Sequence, residues 1–189
     1  PYTLGVSSGA SLGAGLIIIS CIVIPIVGSF TLPLVGFLFG LGTVYIVITF
    51  SARIDRTMSN NTIILSGMVF SLFVNALLTT LTALFSEDMK SIALWQMGSF
   101  AMKGWTYVKL IIPFAIIGVI GVMRFTREMD IITFGEEQAK AVGVETSRVK
   151  TKLFVYAAVL TGGAISLSGT IGFIDLIAPH AVRKVFGSK

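Results

Sequence analysis

Thr62-Ile-Ile-Leu-Ser-Gly-Met-Val-Phe-Ser-Leu-Phe-Val-Asn-Ala-Leu-Leu-Thr-Thr-Leu-Thr-Ala-Leu-Phe85 is a run of 24 residues without a charge. At 1.5 Å per residue a helix of that length reaches roughly 36 Å, more than the roughly 30 Å hydrocarbon core of a bilayer. The run predicts a membrane-spanning helix.

Similar segments lie on both sides of it. Residues 10–27 and 34–52 form two, separated by Pro25, Gly28, Ser29 and Pro33, which supply turn chemistry and remove backbone donors. Residues 105–123 form a fourth, interrupted only by Lys109 near one end, where its long stem can snorkel. Residues 153–174 make a fifth, and a shorter sixth runs from about Ile171 to Val185, with its start near Gly169 or Gly172. The expected fold is all-α integral membrane, a polytopic helix bundle of about six spans. Small residues at Gly5, Gly9 and Gly13, at Gly36 and Gly40, and at Gly118 and Gly121 would let these helices approach closely, against the alternative that glycine is simply common in membrane helices.

Composition agrees. Of 189 residues, 54% are hydrophobic and 12% charged, half the charge of an average soluble domain. Disorder, collagen and disulfide scaffolds are excluded. Cys21, the single cysteine, sits in an apolar run and is expected to be a packing residue. The net charge of +5 does not indicate nucleic acid, because the basic residues flank apolar runs instead of forming a stripe with interleaved aromatics. No residue from 1 to 52 is charged, whereas 11 of the 23 charges fall between Arg124 and Lys152.

Lys and Arg accumulate on the cytoplasmic side of membrane proteins. Alternate connections hold them here: Arg53 and Arg56, then Arg124, Arg127, Lys140, Arg148, Lys150 and Lys152, then Arg183, Lys184 and Lys189. Lys90, Lys103 and Lys109 fall on the other side. The first span should run outward, and residues 124–152 should be cytoplasmic. The outer connection, residues 86–104, is expected to hold a short interfacial helix over Ile92 to Met97, anchored by Trp95 and Trp105. The chain opens Pro1-Tyr-Thr-Leu-Gly5, without an initiating Met or a signal peptide, and is expected to be a fragment.

The 29-residue connection 124–152 is too long and too charged for a bare loop. Thr133-Phe-Gly-Glu136 fits a capping box and predicts a helix start, with Glu136 and Glu137 in the positive first turn, Lys140 four residues after Glu136, and Gly143 at the left-handed C′ position. The helix would have about two and a half turns. Gly135, Ala139 and Val142 fall on one small, apolar face suited to docking, against the alternative of a solvated cap between spans. Ser59, Asn60 and Asn61 precede the third span, where they are either a gate at the inner mouth or a plain helix cap.

Thr133-Phe-Gly-Glu-Glu-Gln-Ala-Lys-Ala-Val-Gly-Val144 resembles the coupling segment of FecCD-type permeases, the membrane subunits of ABC importers for iron-siderophores, haem and vitamin B12. Pro1-Tyr-Thr-Leu-Gly-Val-Ser-Ser-Gly-Ala10, Leu65-Ser-Gly67, Trp95-Gln-Met-Gly-Ser99 and Gly169-Thr-Ile-Gly-Phe-Ile-Asp-Leu-Ile-Ala-Pro-His-Ala-Val-Arg183 match in the same order. The resemblance implies a single transmembrane permease domain over 1–189, with 124–152 its coupling segment, cut from a ten-span subunit in a bacterial or archaeal cell membrane. It also implies partners: ABC ATPase subunits, an extracytoplasmic binding protein and a second permease subunit. Glu136, Glu137, Ala139 and Gly143 would meet the ATPase.

Asp175 stands where the family commonly has a small residue, and either lines the pathway or sits at a helix end near solvent. The Pro179-His180 pair fits the family and reads as structural. Neither catalytic nor metal-binding residues, nor a cofactor, are expected: the sequence holds no Gly-Lys-Ser/Thr phosphate loop and no His-Glu-x-x-His. ATP hydrolysis would belong to a partner chain. The competing reading is a secondary transporter driven by an ion gradient, for which Asp175 is the one acidic candidate within a span.

Overall fold

A computed structural model describes residues 4–25, 28–55, 58–101, 103–171 and 174–187. Among them there are helices and connections but no strand. Four helices are long and apolar enough to cross a membrane: α2 (Thr31–Ile54), α3 (Asn60–Leu84), α5 (Trp105–Met123) and α8 (Thr146–Ser168). Before them lies α1 (Val6–Ser20); between them lie α4 (Met89–Gln96), α6 (Thr126–Thr133) and α7 (Glu136–Ala141), and after them α9 (Ile174–Phe186).

Of the about six spans expected, four reach that length; the first and sixth are shorter helices, and the others differ at their ends. The first is 15 residues, beginning at Val6 and stopping at Ser20, because Cys21 takes a left-handed conformation (φ 50°) and Ser20 Oγ turns back to Leu16 O (2.6 Å). Cys21 is exposed there and does not pack. Thr31 Oγ1 closes the next connection by accepting from Ile24 N (3.0 Å) and donating to Gly28 O (2.7 Å). Pro33 lies inside the first turn of α2, where its missing N–H has no intrahelical partner to lose. The fifth span starts seven residues earlier than expected, at Thr146, and ends at Ser168. α9 has 13 residues and contains Pro179.

Helices α1 and α2 run antiparallel through reciprocal small residues. A Cβ on Gly9 would lie 2.1 Å from Thr43 Oγ1 and 2.8 Å from Phe39 O, and one on Gly40 would meet Val6 O at 3.2 Å. The α5–α8 pair repeats the device: a Cβ on Gly118 would fall 2.2 Å from Leu160 Cγ, and one on Gly121 2.2 Å from Tyr156 Cδ1. α2 also packs against α8, and α3 against α1. The small residues picked out in the sequence therefore mark the seams of the bundle.

Gly9→Ala is expected to destabilise the full-length protein by about 1–3 kcal/mol, since the added methyl meets backbone as well as side chain. Gly42, one residue from Thr43, has nothing within 4 Å of its Cβ position. Gly42→Ala is expected to be neutral or to stabilise by up to about 1 kcal/mol through helix propensity. Melting temperatures in detergent that shift in the same direction for both variants would refute this packing account.

The antiparallel pairing puts Leu4, Val47, Ile48, Met58, Ile63 and Ala158 in one buried cluster at the charged end of the bundle. Leu65, Val69, Leu72 and Phe73 on α3 are 58–69% exposed, an apolar face that lipid tolerates and water does not. At the far end α4 forms where the interfacial helix was expected; Ile92 is buried, Trp95 half-buried, and Trp105 80% exposed at the start of α5.

Candidate functional site

At the charged end the chain makes one more helix than the sequence suggested. α6 runs to Thr133, whose hydroxyl donates to Asp130 O (2.6 Å) within that helix. The capping box is therefore not formed. The chain turns at Phe134 and at Gly135 (φ 124°, ψ 146°), which is the N-cap of α7 and lends it no side chain. α7 has six residues, fewer than two turns, instead of two and a half. Its end is as expected. Gly143 is left-handed (φ 89°), Val144 N donates to Ala139 O (2.9 Å) and Gly143 N to Lys140 O (3.0 Å), the paired bonds of a Schellman motif.

Such a short helix does not persist alone. Two contacts seat it. Ala139 is fully buried against its own chain. Glu136, with 29% of its side chain exposed, takes a hydrogen bond from the ammonium of Lys150 in the first turns of α8. The expected small face is thus divided: Ala139 points inward, while Val142 is 71% exposed. Phe134, Glu137, Gln138, Lys140 and Gly143 are exposed as well.

Lys150 is 6% exposed, and its Nζ also donates to Met58 O (3.0 Å) in the turn between α2 and α3. A buried ammonium needs acceptors around it, and these are two for its three donors. Met58 is held in turn. It is buried with φ 50°, its N donates to Asp55 O (3.0 Å), and Thr151 Oγ1 lies 3.6 Å from its Sδ. Asp55 Oδ2 accepts from Ser59 N (3.0 Å) and Thr62 Oγ1 (3.3 Å), and Ser59 Oγ accepts from Thr62 N (3.4 Å). Ser59 is thereby the N-cap of α3. Asn60 and Asn61 are exposed in the first turn, and Asn60 borders a groove of about 470 Å³ beside Ile63, Met129 and Phe154. Asp175 falls in α9, but its side chain lies outside the described residues.

A second feature was not singled out in the sequence. Between α1, α3 and α4 lies a cavity of about 460 Å³ lined by Ser7, Ser11, Ser71, Asn75, Gln96 and Thr170. Ser7 is 5% exposed and its Oγ has no hydrogen-bond partner among the described residues. The signal was present: Met68, Ser71, Leu72 and Asn75 recur at i, i+3, i+4, i+7, and Ser7 and Ser11 at i, i+4, so each polar set occupies one helix face. No group of three or more His, Cys, Asp or Glu side chains able to hold a metal occurs among the described residues.

The model of the FecCD transport family matches residues 1–189. The chain is 39% identical over 188 residues to an uncharacterised ABC transporter permease, YvrB of Bacillus subtilis, covering 100% of this chain and 53% of that protein. It is 32% identical to the cobalamin import system permease BtuC of Halobacterium salinarum, over 99% of this chain and 49% of the relative. To the hemin transport system permease HmuU of Yersinia pestis it is 30% identical, over 100% and 56%. A solved metal-chelate type ABC transporter in an inward-facing conformation superposes with a TM-score of 0.86 at 29% identity, over 100% of this chain and 58% of that one. The chain spans about half the length of the curated relatives it matches.

Proposed function

The chain belongs to the FecCD transport family, and from that premise we propose that it is part of the membrane-spanning permease subunit of an ATP-driven, binding-protein-dependent importer. The cargo is a metal chelate of the iron-siderophore type, or haem or a corrinoid. The relatives named for cobalamin and for hemin are 32% and 30% identical, too close together to choose between them. In this reading the subunit lies in the cell membrane beside a second permease subunit. It meets a binding protein outside and ABC ATPase subunits inside, and the ATPase carries out the hydrolysis. The permease is a path and not an enzyme.

The observation that carries the reading is α7. It is a helix too short to stand alone, clamped to its own chain through Ala139 and Glu136, and it leaves Phe134, Glu137, Lys140 and Val142 facing out from the charged end. An exposed aromatic flanked by charges is what a partner groove engages. Glu137 and Gly143 belong to that surface; Glu136 and Ala139 hold it in place. The hydroxyl-lined cavity between α1 and α3 is this chain's share of the pathway, and Asn60 and Asn61 are exposed in the first turn of the same α3, which Ser59 caps.

The test is co-purification in detergent of the full-length permease with the ATPase encoded beside it. A Phe134→Ala/Glu137→Lys variant changes only exposed side chains and is expected to insert and melt as wild type does. It should bind at least about tenfold less ATPase, the cost of one contact worth roughly 1.4 kcal/mol or more. Undiminished binding would remove the docking surface from α7. A well-folded wild type that binds no ATPase, and takes up cargo under a proton or sodium gradient alone, would replace this function with ion-coupled transport.

A further inference from the structure

We propose that Lys150 is the positioning residue that makes the inner end of α3 move with α7. The inference rests on the reading that α7 docks on the ATPase. Lys150 joins three segments remote in sequence: Glu136 at the start of α7, α8 to which it belongs, and Met58, 92 residues away, in the turn before α3. Its ammonium is buried, so neither acceptor can be exchanged for water without a desolvation cost. A displacement of α7 therefore carries the ammonium with it, and the ammonium carries Met58 O.

Met58 immediately precedes the N-cap of α3. The chain between them has no slack, because Asp55 holds Ser59 N and Thr62 Oγ1 while Asp55 O holds Met58 N. Beyond Ser59 the helix continues unbroken to Leu84, past Asn60 at the inner groove and past Ser71 and Asn75 in the polar cavity. An α-helix transmits axial and tilting motion over that distance because each residue is bonded to the fourth before it. The route from partner to pathway is thus α7, Lys150, the Met58 turn and α3, with Lys150 as the side-chain link to Met58 O. Arg148 and Glu145 nearby form an ion pair 2.6 Å long, but both side chains are more than 60% exposed and it joins adjacent turns of one helix.

The experiment uses the full-length permease assembled with its ATPase. A cysteine reporter is placed by Asn61→Cys in a background without other cysteines, and its maleimide labelling rate is compared with and without ATP and vanadate. With Lys150 present, trapping nucleotide is expected to change the rate by about fivefold or more, the lower range of ordinary coupling between sites. In complexes that have bound ATPase and trapped nucleotide, Lys150→Met should leave the reporter within about 1.5-fold of its untrapped rate. Lys150→Arg, which keeps charge and donors, should restore most of the response.

A Lys150→Met complex whose reporter responds as wild type does overturns the proposal, as does a reporter that is silent in wild type. If Lys150→Met fails to assemble, Lys150→Gln takes its place: its neutral amide ends one bond short of the ammonium and cannot bond Glu136 and Met58 O together, so the same unresponsive reporter is expected. Failure of both to assemble makes Lys150 a folding residue and also overturns the proposal. Absence of ATPase binding by the wild type is seen before any Lys150 variant is made; it is the failure of the docking reading, and the proposal falls with it.

Discussion

Gly169→Ala is expected to cost the full-length protein about 3 kcal/mol or more, because steric overlap adds to a conformational penalty of about 1–3 kcal/mol. Gly169 closes α8 with φ 80° and ψ −176°, a region only glycine occupies without strain. A Cβ there would stand 2.3 Å from Trp95 O and 2.7 Å from Gly98 Cα, both backbone atoms that cannot rotate away. The crossing is held by Ser99 N donating to Ser168 O (2.7 Å) and by the Thr170 hydroxyl donating to Gln96 O. The substitution must therefore open the clasp between α4 and the end of α8. Gly104→Ala is the control, since nothing lies within 4 Å of its Cβ position and its φ is −73°. A melting temperature in detergent for Gly169→Ala equal to that of Gly104→Ala would show that the clasp carries no stability.

The two acidic residues that open α7 are expected to fail differently. Glu136→Lys removes the counter-charge of an ammonium only 7% exposed and places a second cation beside it. Losing one partner of a buried pair costs about 3–5 kcal/mol, and the new side chain can escape outward only by leaving Lys150 unpaired. Loss of folded protein in detergent is the expected result. Glu137→Lys exchanges one exposed charge for another and should leave stability within about 0.5 kcal/mol. Its effect should appear only in the ATPase binding proposed for α7. Equal stability of the two variants, measured by thermal melting of the full-length protein alone, would mean that the Glu136–Lys150 pair does not hold α7.

The spans were legible in the sequence because membrane insertion sums a local property over about 20 residues, and no distant residue changes that sum. That the most charged connections share one end of the bundle was legible for the same reason, through Lys and Arg counts. The small-residue positions were also visible, at Gly9 and Gly40 and at Gly118 and Gly121, although which helix each would meet was not. The capping box failed for a different reason. Thr133 had a nearer carbonyl, Asp130 O inside α6, and the Glu136 carboxylate had a stronger partner than a backbone amide in the ammonium of Lys150. Local chemistry offered a cap, and a contact 14 residues along the chain outcompeted it.

Lys150 shows the division most clearly. In the sequence it is one of six basic residues in a charged connection, indistinguishable from Lys140 or Lys152. In the structure it is buried, bonded across 92 residues to Met58, and joins the exposed α7 to the helix that lines the polar cavity. The order of the apolar helices, and the place of the charged segment between two of them, were determined by the sequence itself, because hydrophobic transfer and charge add residue by residue. Which serines share a cavity, which glycines meet and which lysine is buried were decided by tertiary structure alone, since burial and pairing belong to contacts between segments and not to any residue alone.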